Sequence, residues 1–376
     1  MLRRMQRLES DRPSGTGRSV ALWLASSLAL SLSACGDDTA ATGSGGGAAS
    51  TASAAEGGAG GATTASTGAD AGQGGDSGPG AGGDGGNGEG GAGMGGDAAE
   101  SSTGAGGAPV GPVIVGGDRP VEVLVPESYD HDTPTPLIIL LHGYTASGAI
   151  QESYFRFSPL AEELGFLFAA PDGTIDDGGE GFWNATEACC NFYGSDVDDS
   201  AYLQGLIDEI AGELTVDPKR VYFVGHSNGG FMSYRMACEH ADTVAAIASL
   251  AGATYADASD CSPSEPVPTL QIHGTSDATI LYEGGEFVGN AYPGAEESVA
   301  TWAGYNGCDP STIDGEARDL SNATAGDETE VTIYDEGCDP HGGAELWTIP
   351  GEIHIPALSP TFTRQIVEWL LAHPKP

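Results

Sequence analysis

The serine of Gly225-His226-Ser227-Asn228-Gly229-Gly230 is placed for nucleophilic chemistry. The apolar run Val221-Tyr222-Phe223-Val224 before it reads as a buried strand, and residues 231–237 after it read as a helix. Strand, G-x-S-x-G, helix is the context in which a hydroxyl is held out on a sharp turn above a sheet. Glycines at 225 and 229 remove the Cβ atoms that would collide as the chain doubles back. A tight turn with a structural serine is the bland alternative; both flanks favour the nucleophile.

A hydroxyl attacks only when a base takes its proton, and that base must be oriented by an acid. One chain order for such sets places acid and histidine after the serine. Asp277, in His273-Gly274-Thr275-Ser276-Asp277, follows a predicted strand at 269–272 and lies 50 residues past Ser227. Asp257 and Asp260 precede that strand and read as loop residues. Of the eight histidines, His354 follows the last predicted strand and precedes the last helix, so it is the expected base. His341 is the runner-up, in a Cys-rich loop. His142 and His273 open His-Gly turns that they would shape, and His226 should point away from the nucleophile's side. Negative charge on the attacked carbonyl needs two backbone N–H donors. Asn228, next to the nucleophile, and Tyr144, in the His142-Gly143-Tyr144 turn, are the expected pair. Asp198 and Asp199 precede a helix and read as its cap.

These residues need a sheet to hold them. Strands are expected at 121–125, 137–141, 166–170, 221–224, 244–250, 269–272 and 345–349. Helices are expected at 200–214, 231–240, 295–304 and 361–372. Alternation of this kind predicts an α/β class, a mainly parallel central sheet with helices on both faces. Sites in such sheets lie at the strands' carboxyl ends, where every motif above falls.

Composition divides the chain into three zones. Residues 1–35 carry five arginines, then an apolar run, then Leu32-Ser33-Ala34-Cys35. This reads as an export signal, too short to span a membrane, with a lipobox in which Cys35 is lipidated. Residues 36–112 are Gly, Ala, Ser and Thr with acidic residues, and read as a disordered linker. A coil of that length spans roughly 50 Å. Residues 113–376 form one catalytic domain with 8 basic and 43 acidic residues, a net charge of −35. Such a field disfavours nucleic acid and anionic lipid, leaving membrane contact only through the anchor at Cys35. Its six cysteines, Cys189, Cys190, Cys238, Cys261, Cys308 and Cys338, read as disulfides of an exported protein. No spacing typical of a metal site accompanies them. Cys308 should pair with Cys338, in matching Gly-Cys-Asp-Pro turns. Cys189 and Cys190 are adjacent and are expected to reach Cys238 and Cys261.

Residues 216–230, Val-Asp-Pro-Lys-Arg-Val-Tyr-Phe-Val-Gly-His-Ser-Asn-Gly-Gly, resemble the exported esterases of the polyhydroxybutyrate depolymerase and feruloyl esterase group. Phe182-Trp183-Asn184-Ala185, Cys189-Cys190, Val197-Asp198-Asp199, His142-Gly143 and the stretch from Cys338 to His354 carry the same resemblance. It covers nearly all of residues 113–376. It implies an α/β-hydrolase fold, a Ser227, Asp277 and His354 triad, no cofactor, no metal, and ester substrates on polymers or hydroxycinnamoyl sugars. Gly351-Glu352-Ile353-His354-Ile355-Pro356 departs from the Gly-Gly-His-Thr-Trp-Pro pattern common there, which bears on substrate contacts near the base. The expected function is a polyhydroxybutyrate depolymerase-like serine esterase on polyester or oligoester. The alternatives are a feruloyl or acetyl xylan esterase, a serine peptidase or amidase, and a non-catalytic surface lipoprotein.

Overall fold

In a computed structural model, which describes residues 112–376, the strand Thr135–Leu141 (β1) is buried at every residue. A continuous apolar run suits a strand covered on both faces. Its partners follow as β2 (Leu167–Ala169), β3 (Val216–His226), β4 (Ala246–Leu250), β5 (Thr269–Gly274), β6 (Ile313–Asp314), β7 (Glu330–Tyr334) and β8 (Ala344–Ile349). Together they make one sheet in the order β6-β7-β8-β5-β4-β3-β1-β2. The six strands from β8 to β2 run parallel, and β7 and β6 add antiparallel at one edge.

Side chains alternate across β1, and the two faces feed separate cores. Leu137, Ile139 and Leu141 join α3 (Asp199–Glu213) and α4 (Asn228–Glu239) on one side, with Trp302 of α5 (Ala295–Tyr305). Ile138 and Leu140 join α1 (Gly148–Phe155), α2 (Ser158–Leu164) and α6 (Phe362–Leu371) on the other. The mainly parallel sheet with helices on both faces is therefore present. Predicted residues 121–125 depart from it: Val121–Val123 pairs with Val113–Val115 in a separate hairpin, linked to the sheet by a bridge from Leu124 to Phe168.

Three disulfides brace the described residues and fit an oxidising, exported setting. Cys308 pairs with Cys338, as expected. The other expected pairing is wrong. Cys238, at the end of α4, faces Cys261 with Cα atoms 5.7 Å apart, within ordinary disulfide reach. Cys189 and Cys190, buried in a turn closed by a Thr186–Cys189 bridge, are left to bond each other. The capping expectation also splits. Asp198 caps α3 by accepting from the Ala201 amide. Asp199 instead lies fully buried, bonded to Arg119 at 2.6 Å and to the Asn184 amide. The signal, Cys35 and linker lie outside the described residues. Among the described residues, no helix is long and apolar enough to cross a membrane.

Candidate active site

Ser227 lies between β3 and α4, at the N-cap position of the helix, with φ 54 and ψ −120, a conformation L-residues rarely adopt. Its amide donates to Leu250 O at 2.8 Å, which ties the turn to the end of β4. Backbone crowding explains the flanking glycines. A Cβ on Gly225 would strike the Gly229 carbonyl, and one on Gly229 would strike the Leu141 carbonyl. The hydroxyl does not cap α4, so it is left free for other work.

Asp277 follows β5 and is 4% exposed. Its Oδ1 accepts from the Thr279 and Ile280 amides, and its Oδ2 accepts from His354 Nδ1 at 2.7 Å. Burial opposes ionisation of this carboxyl. Hydrogen bonds from His273 and His354, the His354 charge and the Thr279 amide outweigh it and hold the group well below the usual carboxylate range. An ionised carboxylate only accepts, so Nδ1 carries a proton toward Asp277, and in the neutral ring Nε2 then has the lone pair a base needs. His354 lies in the segment after β8, with its side chain 15% exposed. Ser227 Oγ and His354 are not hydrogen-bonded in the structure. Such bonds are commonly long before substrate binds.

Behind Asp277 runs a buried polar chain. Tyr234 OH donates to Gln271 Oε1, and Gln271 Nε2 donates to Gly252 O and His273 Nδ1. His273 must therefore carry its proton on Nε2, directed at Ile280 O at 2.9 Å, with Asp277 Oδ2 3.3 Å away. His273 thus supports the acid, more than the turn-shaping role expected of it.

The two expected oxyanion donors have free amides. Around Tyr144, the Gly143 amide points to Gln151 Oε1, that of Thr145 to Gly181 O and that of Ala146 to Gly143 O. Among the described residues, the Tyr144 N–H has no hydrogen-bond partner. Its phenol donates to Asp176 Oδ2 at 2.8 Å, and its ring meets Phe192 edge-on. Asn228, the first residue of α4, spends its side chain on both backbone groups of Trp183, and its own amide has no intrahelical partner. Two N–H groups beside Ser227 can thus receive developing negative charge.

His226 departs from the expectation. Its Nε2 donates to His354 O at 2.9 Å, and its ring lies 5.1 Å from the His354 ring. His341 sits in an exposed turn with φ 68, away from these groups in the sequence of elements. Trp183 and Trp302 are both fully buried core residues. Among the described residues, no group of three His, Cys, Asp or Glu side chains is arranged to hold a metal ion.

Residues 113–309 match the model of the Esterase family, described as "Putative esterase". Feruloyl esterase B of Piromyces equi is 33% identical over 198 residues, 50% of this chain and 36% of that protein. Feruloyl esterase D of Neurospora crassa is 28% identical over 256 residues, 65% of this chain and 76% of that one. The acetyl xylan esterase structure from Aspergillus awamori superposes with a TM-score of 0.50 at 19% identity, over 69% of this chain and 99% of that chain. That likeness establishes the shared α/β-hydrolase fold. The first curated relatives are matched over less than half of their own length.

Proposed function

The chain belongs to the Esterase family, and from that premise we propose that it is a serine carboxylic ester hydrolase. Ser227 attacks the ester carbonyl while His354 Nε2 takes its proton, and Asp277 holds the imidazole and balances its charge. The Tyr144 and Asn228 amides stabilise the oxyanion. His354 then protonates the leaving alcohol, and water releases the acyl group by the same steps in reverse order. The observation that carries this reading is the 2.7 Å contact from His354 Nδ1 to Asp277, at the strand ends that also carry the strained Ser227.

Two ester classes are in play. The motif resemblance supports polyester or oligoester. The names of the relatives, feruloyl esterase B and feruloyl esterase D, support hydroxycinnamoyl esters of plant cell-wall polysaccharide. The same reading makes the protein exported and anchored through a lipidated Cys35, with residues 36–112 as tether and 113–376 as catalytic domain; the basic, apolar and lipobox pattern supports it. Loss of membrane fractionation in Cys35→Ala is the expected check.

The activity test compares wild type and Ser227→Ala on p-nitrophenyl acetate, methyl ferulate, acetylated xylan, polyhydroxybutyrate film and a peptide anilide. Ester turnover that depends on Ser227 is expected. Turnover surviving Ser227→Ala removes the mechanism, and peptide cleavage without ester cleavage replaces the substrate class. Methyl ferulate turnover without film erosion assigns the cell-wall esters; the converse assigns polyester.

A further inference from the structure

The base is held in place by few contacts. Ile353 and Ile355, its neighbours, are 57% and 54% exposed. The surrounding segment is pinned at its ends: the Gly351 amide donates to Thr275 Oγ1, the Ser276 amide to Glu352 O, and Tyr154 OH to Pro356 O. Across the middle, from Ile353 to Ile355, the one hydrogen bond to the backbone comes from His226 Nε2 to His354 O, at 2.9 Å and a sequence separation of 128. His226 is itself buried and enclosed by other rings. It is 6% exposed, follows Gly225 in β3, and has the rings of Tyr154, Phe155 and His354 around it. A Cβ on Gly143, in the turn carrying the Tyr144 amide, would lie 3.5 Å from His226 Nδ1 and 3.4 Å from Ser227 Cβ.

We infer that His226 is a positioning residue that fixes the base against the nucleophile. Residue 226 is covalently joined to Ser227, and its side chain holds the backbone of His354. Any displacement of the elbow is therefore carried to the base, and the separation of Oγ from Nε2 is set by one short path. The Asp277 bond fixes how the imidazole rotates; the His226 bond fixes where its backbone stands. Donation through Nε2 requires a proton there, which in the neutral ring leaves Nδ1 bare. This inference rests on the serine esterase reading and adds a residue to it that touches neither the substrate nor the reacting atoms.

The test measures kcat and KM for p-nitrophenyl acetate in wild type, His226→Phe and His226→Gln, with thermal melting of each. Phenylalanine keeps the ring packing but cannot donate, whereas glutamine can. Misplaced catalytic groups should lower kcat of His226→Phe by about 10–100-fold, with KM within about twofold of wild type. His226→Gln should recover most of that loss. Wild-type kcat in a folded His226→Phe overturns the inference, as does a His226→Gln that is folded yet no better than His226→Phe. Should His226→Phe fail to fold, nitrogen NMR of histidine-labelled wild type decides instead. A proton on His226 Nε2 supports the tie, and a proton on Nδ1 alone refutes it. If wild type itself shows no Ser227-dependent ester turnover, the esterase reading fails, while the NMR result still judges the His226 tie separately.

Discussion

Ser227 holds its backbone at φ 54, and that strain should be measurable as stability. Ser227→Ala and Ser227→Gly both remove the hydroxyl, so they differ in the Cβ alone. A non-glycine residue in such a region costs about 1–3 kcal/mol. Glycine returns that energy but gains freedom in the unfolded chain, which costs about 0.4–1 kcal/mol. Taken at their midpoints, about 2 and about 0.7 kcal/mol, these leave roughly 1–2 kcal/mol in favour of Ser227→Gly. For a domain of this size, that raises the melting temperature of Ser227→Gly above Ser227→Ala by roughly 2–8 °C. Loss of the hydroxyl from the helix end adds little, because it accepts no capping bond from α4. Calorimetry of the two variants at equal pH makes the comparison, and neither should turn over ester. Ser227→Gly melting at or below Ser227→Ala would refute the claim that the elbow stores strain for its nucleophile.

Three further outcomes are expected. Tyr144→Phe removes a hydrogen bond to Asp176 while keeping the Tyr144 amide, so stability should fall by about 1–3 kcal/mol while kcat falls less than about 10-fold; chemical denaturation and initial rates measure both. Replacing Cys308 and Cys338 by serine opens a loop of 30 residues and should cost about 3–4 kcal/mol, read from the urea midpoint. Burial, with the His354 charge second, draws His226 down to about 3, against an ordinary 6.5. The unfolded chain then takes a proton that the folded chain refuses. Stability from this group is present above about pH 6.5 and is lost as pH falls toward 3, at no more than about 1.4 kcal/mol per pH unit. His142, lowered by its own burial, acts in the same direction. Melting profiles between pH 4 and 6 should therefore be less steep for His226→Gln than for wild type.

Local patterns revealed much of this architecture. The apolar runs near Leu137, Val221 and Thr269 became β1, β3 and β5, because strands buried on both faces have little choice of composition. Elements lacking that signature were not foreseen. The antiparallel strand β7, Glu-Val-Thr-Ile-Tyr, is only half-buried, and α1 and α2 are too short to show a helical period. Ser227, Asp277 and His354 could be nominated because each follows a strand. The His226 bond to His354 spans 128 residues, and no local pattern encodes a contact that distant. The Cys189–Cys190 pairing is hidden for a related reason: only the fold shows that Cys238 faces Cys261, which leaves the adjacent cysteines to each other.

We propose Ser227 as a nucleophile activated by His354. Treating the folded protein with diethyl p-nitrophenyl phosphate and mapping the adduct by peptide mass spectrometry tests it most directly. One diethylphosphoryl group on Ser227 is expected, with ester turnover lost in step with labelling and labelling slowed strongly in His354→Ala. Stoichiometric labelling elsewhere, or full ester turnover after Ser227 is modified, would contradict it.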